Sequence, residues 1–133
     1  MIPPFNSHGY LPAGVHAATL AEVAERFGGA SELRRVQMES VREMIALAVR
    51  AGVQRIVLNG SFVTDIMEPN DVDCVLLIGA GYPKDENAAN ELADGLPFLQ
   101  IATLRRKAFD KLVEDFFATD RWGQPKGVVE VIL

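Results

Sequence analysis

Apolar positions recur along this chain with two periods, and the changes between them mark out its elements. Leu20, Val23, Ala24 and Phe27 lie three and four apart, which places them on one face of a helix. Thr19 and Glu22 frame its start as a capping box, in which the hydroxyl and the later carboxylate satisfy helix-start N–H groups; Gly28-Gly29 closes it. Ser31 caps a second helix, whose apolar face reads as Leu33, Val36, Val41, Met44, Ile45 and Ala48 and runs to Gly52. Beyond Gly52 the pattern shortens. Arg55-Ile56-Val57-Leu58-Asn59 and Asp71-Val72-Asp73-Cys74-Val75-Leu76-Leu77-Ile78 are rich in β-branched and aliphatic residues and predict strands, the second ending at Gly79. A short helix over 84–94 follows, with Ala88, Ala89 and Leu92 inward, then a strand over 98–103. A longer helix over 105–118 is expected to bury Leu104, Ala108, Leu112, Val113, Phe116 and Phe117, and a strand over 127–133 ends the series. Residues 1–18, broken by Pro3, Pro4, Gly9, Pro12 and Gly14, predict an irregular arm lying on the domain, with His8 and His16 unassigned. The order of elements is that of an α/β (α+β) domain, a small mixed sheet covered by helices.

Composition narrows the class without naming a chemistry. The 133 residues, 49% hydrophobic and 23% charged, suit one globular core, so a single domain over 1–133 is expected. No apolar run approaches the roughly 20 residues of a membrane helix, and Met1-Ile2-Pro3-Pro4-Phe5-Asn6 lacks the basic flank and apolar core of a signal peptide. A cytoplasmic protein with no membrane partner is expected. The lone Cys74 agrees with a reducing compartment; next to Asp73 on a strand, it turns to the opposite face and into the core. A net charge of −5 argues against broad attraction to nucleic acid or anionic membranes, and leaves room for a local basic patch that binds a triphosphate.

The segment 60–73 carries the candidate chemistry. On a strand, Asp71 and Asp73 project from one face with Cα atoms roughly 6.5 Å apart. Two bare carboxylates at that spacing repel by ~2–3 kcal/mol at an effective dielectric near 20. A divalent cation converts that repulsion into attraction, and Mg²⁺ takes one or two protein carboxylates, completing its shell with water and phosphate oxygens. Upstream, Gly60-Ser61 ends the preceding strand: glycine admits a bulky anion close to the backbone, where N–H groups and the Ser61 hydroxyl donate to phosphate oxygens. The ordinary alternatives are a plain turn at Gly60-Ser61 and a solvated strand end at Asp71. Asp65 and Glu68 read as surface acids, with metal ligation the alternative. Arg105-Arg106-Lys107 is a solvated helix turn or an anion site, its cations opposing the helix dipole. Trp122 covers the core, with Arg121 and Lys126 in water, or it stacks on a base while the cations reach phosphates.

Gly60-Ser61 followed by Asp71-Val72-Asp73 resembles the signature of the nucleotidyltransferase fold, the superfamily of DNA polymerase beta and the minimal nucleotidyltransferases. Leu11-Pro12-Ala13-Gly14-Val15-His16, Arg26-Phe27-Gly28, Asn59-Gly60-Ser61-Phe62-Val63-Thr64 and Asp120-Arg121-Trp122-Gly123-Gln124-Pro125-Lys126-Gly127 together resemble an uncharacterised bacterial and phage family placed in it. The resemblance implies a nucleotidyltransferase-like core and transfer of a nucleoside monophosphate from a nucleoside triphosphate to a hydroxyl acceptor. Asp71 and Asp73 would hold Mg²⁺ or Mn²⁺, and Gly60 and Ser61 would seat the β- and γ-phosphates. The superfamily pattern also asks for a third carboxylate on the next strand. Gln100 stands there, and a neutral amide is a poor Mg²⁺ ligand and no base. Glu130, the sole charged residue of the last strand, supplies that acid if its strand lies beside the Asp strand; otherwise it is a carboxylate on the solvent face of an edge strand. The alternative function is an inactive binding or regulatory module acting with a protein partner, of the toxin–antitoxin or phage-defence kind. A plain structural domain and an oligomer are further outcomes.

Overall fold

A computed structural model describes residues 1–116 and 122–133 of the chain; the side chains of 115 and 116 lie outside that description. The described residues form one five-stranded mixed sheet with four α-helices. In chain order these are β1 (Val15–Ala18), α1 (Leu20–Phe27), α2 (Glu32–Ala51), β2 (Arg55–Asn59), β3 (Val72–Leu77), α3 (Glu86–Asp94), β4 (Leu99–Leu104), α4 (Arg106–Lys111) and β5 (Val128–Val131). The caps do what their residue types allow. Thr19 and Glu22 exchange the two hydrogen bonds of a capping box at 3.1 and 3.0 Å, and the Ser31 hydroxyl accepts the Arg34 N–H at 3.1 Å. Among the described residues no helix is long and apolar enough to cross a membrane.

Strand order is β1-β5-β2-β3-β4, with the outer pairs parallel and the inner pairs antiparallel. Strand alternation splits the side chains between two cores. Ile56, Leu58, Cys74, Leu76 and Val129 pack under α1, α2 and α3; Val57, Val75, Leu77 and Val128 pack against Phe109 and Val113 on the other face. Cys74 is buried on the face opposite Asp73, as alternation requires, and burial pushes its thiol pKa up.

Several expectations are corrected. Residues 1–18 are not irregular throughout, because Val15–Ala18 pairs with β5 in register Val15↔Val128. This partner lies more than a hundred residues away, and four residues flanked by Pro12 and Gly14 carry no local strand signal. The close approach depends on Gly127: a Cβ there would stand 2.1 Å from the Pro12 carbonyl oxygen. On α2, Val36 is exposed while Arg34, Gln37 and Met38 are buried, so the inward stripe begins on polar residues. The last helix is rotated as well: Phe109 is buried and Ala108 exposed, and past Lys111 the helix continues as a π segment, Leu112–Phe116. Trp122 is 75% exposed and does not cover the core. The expectations for the side chains of Phe116 and Phe117, for Asp120 and for Arg121 fall outside the described residues.

Candidate functional site

At the end of β2 the chain turns through Gly60 with φ +86° and ψ −166°, a conformation open almost only to glycine. It then makes a single 3₁₀ turn, Ser61–Val63. What holds this turn is Arg34, a buried cation on α2. Its five N–H donors make six contacts, two of them sharing an Nη2 proton, all to main-chain carbonyls: Phe27 at 3.0 Å, Phe62 at 2.7 Å, Ser61 at 3.4 Å, Thr64 at 2.8 Å and Ile66 twice at 2.6 and 3.0 Å. Burial pushes the Arg34 pKa down and nearby Asp65 draws it up; an arginine stays charged throughout. One turn along α2, Gln37 donates to the Pro69 carbonyl at 2.7 Å and fixes the returning limb of the loop. Two buried polar side chains on one helix face therefore set both ends of the segment between the bend and the acids.

The acids meet the bend directly. A Cβ on Gly60 would fall 2.5 Å from Asp73 Oδ2, so the carboxylate occupies the space that the missing side chain leaves. Asp73 pairs across the sheet with Asn59 on one side and Gln100 on the other, and Gln100 Nε2 donates to Asp71 Oδ2 at 3.2 Å. Both carboxylates thus sit at the same sheet end. Burial first, then the charge of Asp71, raises the Asp73 pKa; Lys126, ahead of β5, opposes that rise. Asn59 is buried beside Asp73, and among the described residues its Oδ1 has no hydrogen-bond partner. An orphan acceptor next to a half-buried carboxylate suits a site completed by water or ligand protons. A groove of about 330 Å³, lined by Asp73, Gln100, Ala102 and Leu112, opens beside Asp73, at the small end of the range for ligand clefts.

The raised Asp73 pKa fixes the sign of a stability effect. The folded state holds this proton more tightly than the unfolded chain, so stability falls as pH rises through the window between the two pKa values and stays lower above it. Asp73→Asn is expected to stabilise the protein at pH 7. The repulsion of ~2–3 kcal/mol shrinks to about 1 kcal/mol once solvent screening and Lys126 are allowed for. Urea unfolding at pH 7 and at pH 4 should show the advantage of Asn shrinking at the lower pH; an advantage of equal size at both would contradict the assignment.

Glu130 does not join this group. Strand β5 lies between β1 and β2, so Glu130 is separated from the Asp strand by β2, in register with Val57 rather than Asn59. Arg55 grips it with two hydrogen bonds of 2.8 and 2.6 Å, and the Arg55 guanidinium stacks 5.1 Å from the centre of the Phe109 ring. The expected third acid is thus a structural ion-pair partner, on the same sheet face but about 12 Å off by strand spacing and rise. Gln100 does occupy the strand neighbouring Asp73. Asp65 and Glu68 are exposed in the loop, and among the described residues no group of three His, Cys, Asp or Glu is placed to hold a metal. Sequence reasoning missed Arg34, Gln37 and Asn59. For Arg34 a signal existed: the stripe Met38, Val41, Ile45 and Ala48, stepped back one turn, lands on it.

Among the described residues, one end of a mixed sheet thus brings together a glycine bend, two carboxylates and a nearby lysine, an acidic candidate site in an α+β fold. The chain belongs to a family of unknown function (DUF6932), whose model matches residues 3–132. No curated protein and no solved structure matches it.

Proposed function

We propose that this chain binds a nucleoside triphosphate together with Mg²⁺ or Mn²⁺, and that its activity is transfer of the nucleoside monophosphate to a hydroxyl acceptor. The observation that carries the reading is the seating of Asp73 against Gly60, with Asp71 two residues away. Two carboxylates, with an unpaired Asn59 acceptor alongside, are a donor set that fits Mg²⁺, which needs few protein ligands when phosphate and water supply the rest. Asp71 and Asp73 would hold the ion, and when bound it neutralises charge that develops on the phosphates. Gly60 and Ser61 seat the phosphate tail through backbone N–H groups and the Ser61 hydroxyl, and Lys126 adds positive charge on the same side. In the transfer, the acceptor oxygen bonds to the α-phosphorus as the bond to pyrophosphate breaks, and the acceptor proton passes to solvent.

A second reading, a binding or regulatory module that captures nucleotide and acts through a protein partner, is favoured by Gln100. It lies where a base is wanted and donates a hydrogen bond to Asp71 instead. Titration calorimetry of Mg²⁺-ATP and Mg²⁺-GTP tests the binding that both readings share. Binding is expected for wild type, with Asp73→Ala weakened at least about tenfold, a loss of ~1.4 kcal/mol; equal heats from the two proteins reject it. Incubation with α-phosphate-labelled nucleotide, metal and lysate then separates them, since label on RNA or protein marks transfer and binding without label marks the module.

A further inference from the structure

The sequence of β4 carries none of the residues that usually guard a free strand edge. Leu99-Gln100-Ile101-Ala102-Thr103-Leu104 contains no charge, no proline and no glycine, although β4 ends the sheet. The Val72 N–H donates to the Phe98 carbonyl and the Ile78 N–H to that of Leu104, so the even-numbered residues of β4 face β3. Alternation turns the N–H and C=O groups of Ile101 and Thr103 outward, where no described residue pairs with them. The Leu99 N–H is already taken by the Leu96 carbonyl at 3.2 Å. Grooves flank the edge on both faces, one of about 330 Å³ lined by Gln100 and Ala102, the other of about 440 Å³ between α3 and β4, lined by Tyr82, Ile101 and Thr103.

The charges beside this edge differ at its two ends. Asp71 and Asp94 lie near the start of β4, while the exposed Arg105, Arg106 and Lys107 follow its last residue. An edge negative at one end and positive at the other complements itself when antiparallel. Phe98, just before the strand, is 39% exposed and held at φ +66°, a costly conformation for an aromatic residue outside a packed site.

We propose that β4 is a homodimer edge: two copies of this chain pair β4 antiparallel about a two-fold axis at Ala102, joining their sheets into one. In this register Ile101 lies opposite the partner subunit's Thr103, and both outward donors and acceptors of each residue are used. The Leu99 carbonyl is left over, in keeping with its occupied N–H. Phe98 comes to the same end of the joined strands as the partner subunit's Arg106, the first residue of α4, within range of an arginine–aromatic pair. Gln100 and Asp71 come beside the end of β4 from which the partner subunit's Arg105 projects, so each acidic site gains basic residues from the other copy. The pairing holds whatever the site binds; only a phosphate-binding role for the partner's Arg105 rests on the nucleotide reading.

Sedimentation equilibrium without nucleotide, over roughly 1–300 μM, tests it. Wild type is expected to dimerise with concentration, and less tightly as salt rises. Thr103→Pro removes an outward donor while sparing the β3 ladder, and should weaken the dimer about tenfold or more, since symmetry counts the lost bond twice. Arg105→Glu with Arg106→Glu should weaken it and flatten the salt dependence. Amide hydrogen exchange on wild type needs no variant: Ile101 and Thr103 should gain protection as the dimer fills. A wild type monomeric throughout, a dimer untouched by folded Thr103→Pro, or Ile101 and Thr103 amides that stay unprotected in the dimer would each overturn the proposal.

Discussion

Replacing Arg34 with methionine is expected to cost about 3–5 kcal/mol of stability, the size seen when one partner of a buried polar network is removed. Methionine fills most of the volume, so the loss is not a cavity effect. It arises because the Phe62, Thr64 and Ile66 carbonyls, drawn together by one guanidinium, would face each other without a donor. For a chain of this length such a loss lowers Tm by ~10–20 °C, against a total stability of about 5–15 kcal/mol. Arg34→Lys should recover less than half, because an ammonium cannot reach carbonyls on several sides of a planar fork at once. Thermal melts check the magnitude, and faster amide exchange confined to 61–66 checks the location. A methionine variant melting within about 3 °C of wild type would show that the strap does not hold the loop.

Gly60→Ala is expected to damage stability and ligand binding together. Alanine at φ +86° and ψ −166° costs ~1–3 kcal/mol in backbone strain, and its Cβ would also drive Asp73 from its seat. Urea unfolding should show a loss of ~2–4 kcal/mol, and calorimetry a loss of at least about tenfold in Mg²⁺-nucleotide affinity. Ser61→Ala is the control, since it removes a hydroxyl but no backbone freedom; its stability should stay within ~0.5 kcal/mol of wild type. Normal binding by a folded Gly60→Ala protein would mean that the bend and the acid are not one site.

Much of the layout was legible from local chemistry. The β3 run and its acids, the caps at Thr19 and Ser31, and the glycine bend each depend on neighbours a few residues away, where periodicity and turn chemistry act. The position of Gln100 was legible too, because β4 follows β3 through a single helix. Glu130 was not: a four-residue strand can add to any free edge, and only packing of the whole sheet put it beside β2, within reach of Arg55. Arg34 stayed hidden for a related reason. It stands next to Arg35 in a charged helix turn, and although helical spacing puts it on the inward face, nothing local says that main-chain carbonyls gather there to satisfy it.

The sequence by itself determined the helical segments, the four strands β2 to β5 and the placing of two carboxylates after a glycine-serine turn, since those follow from side-chain spacing along a regular backbone. Tertiary structure alone decided that Val15–Ala18 is a strand, that Asp73 rests on Gly60, and that Glu130 belongs to Arg55. Contacts between residues far apart in the chain are selected by how well the whole core and its buried polar groups can be satisfied at once, and no short window of residues records that choice.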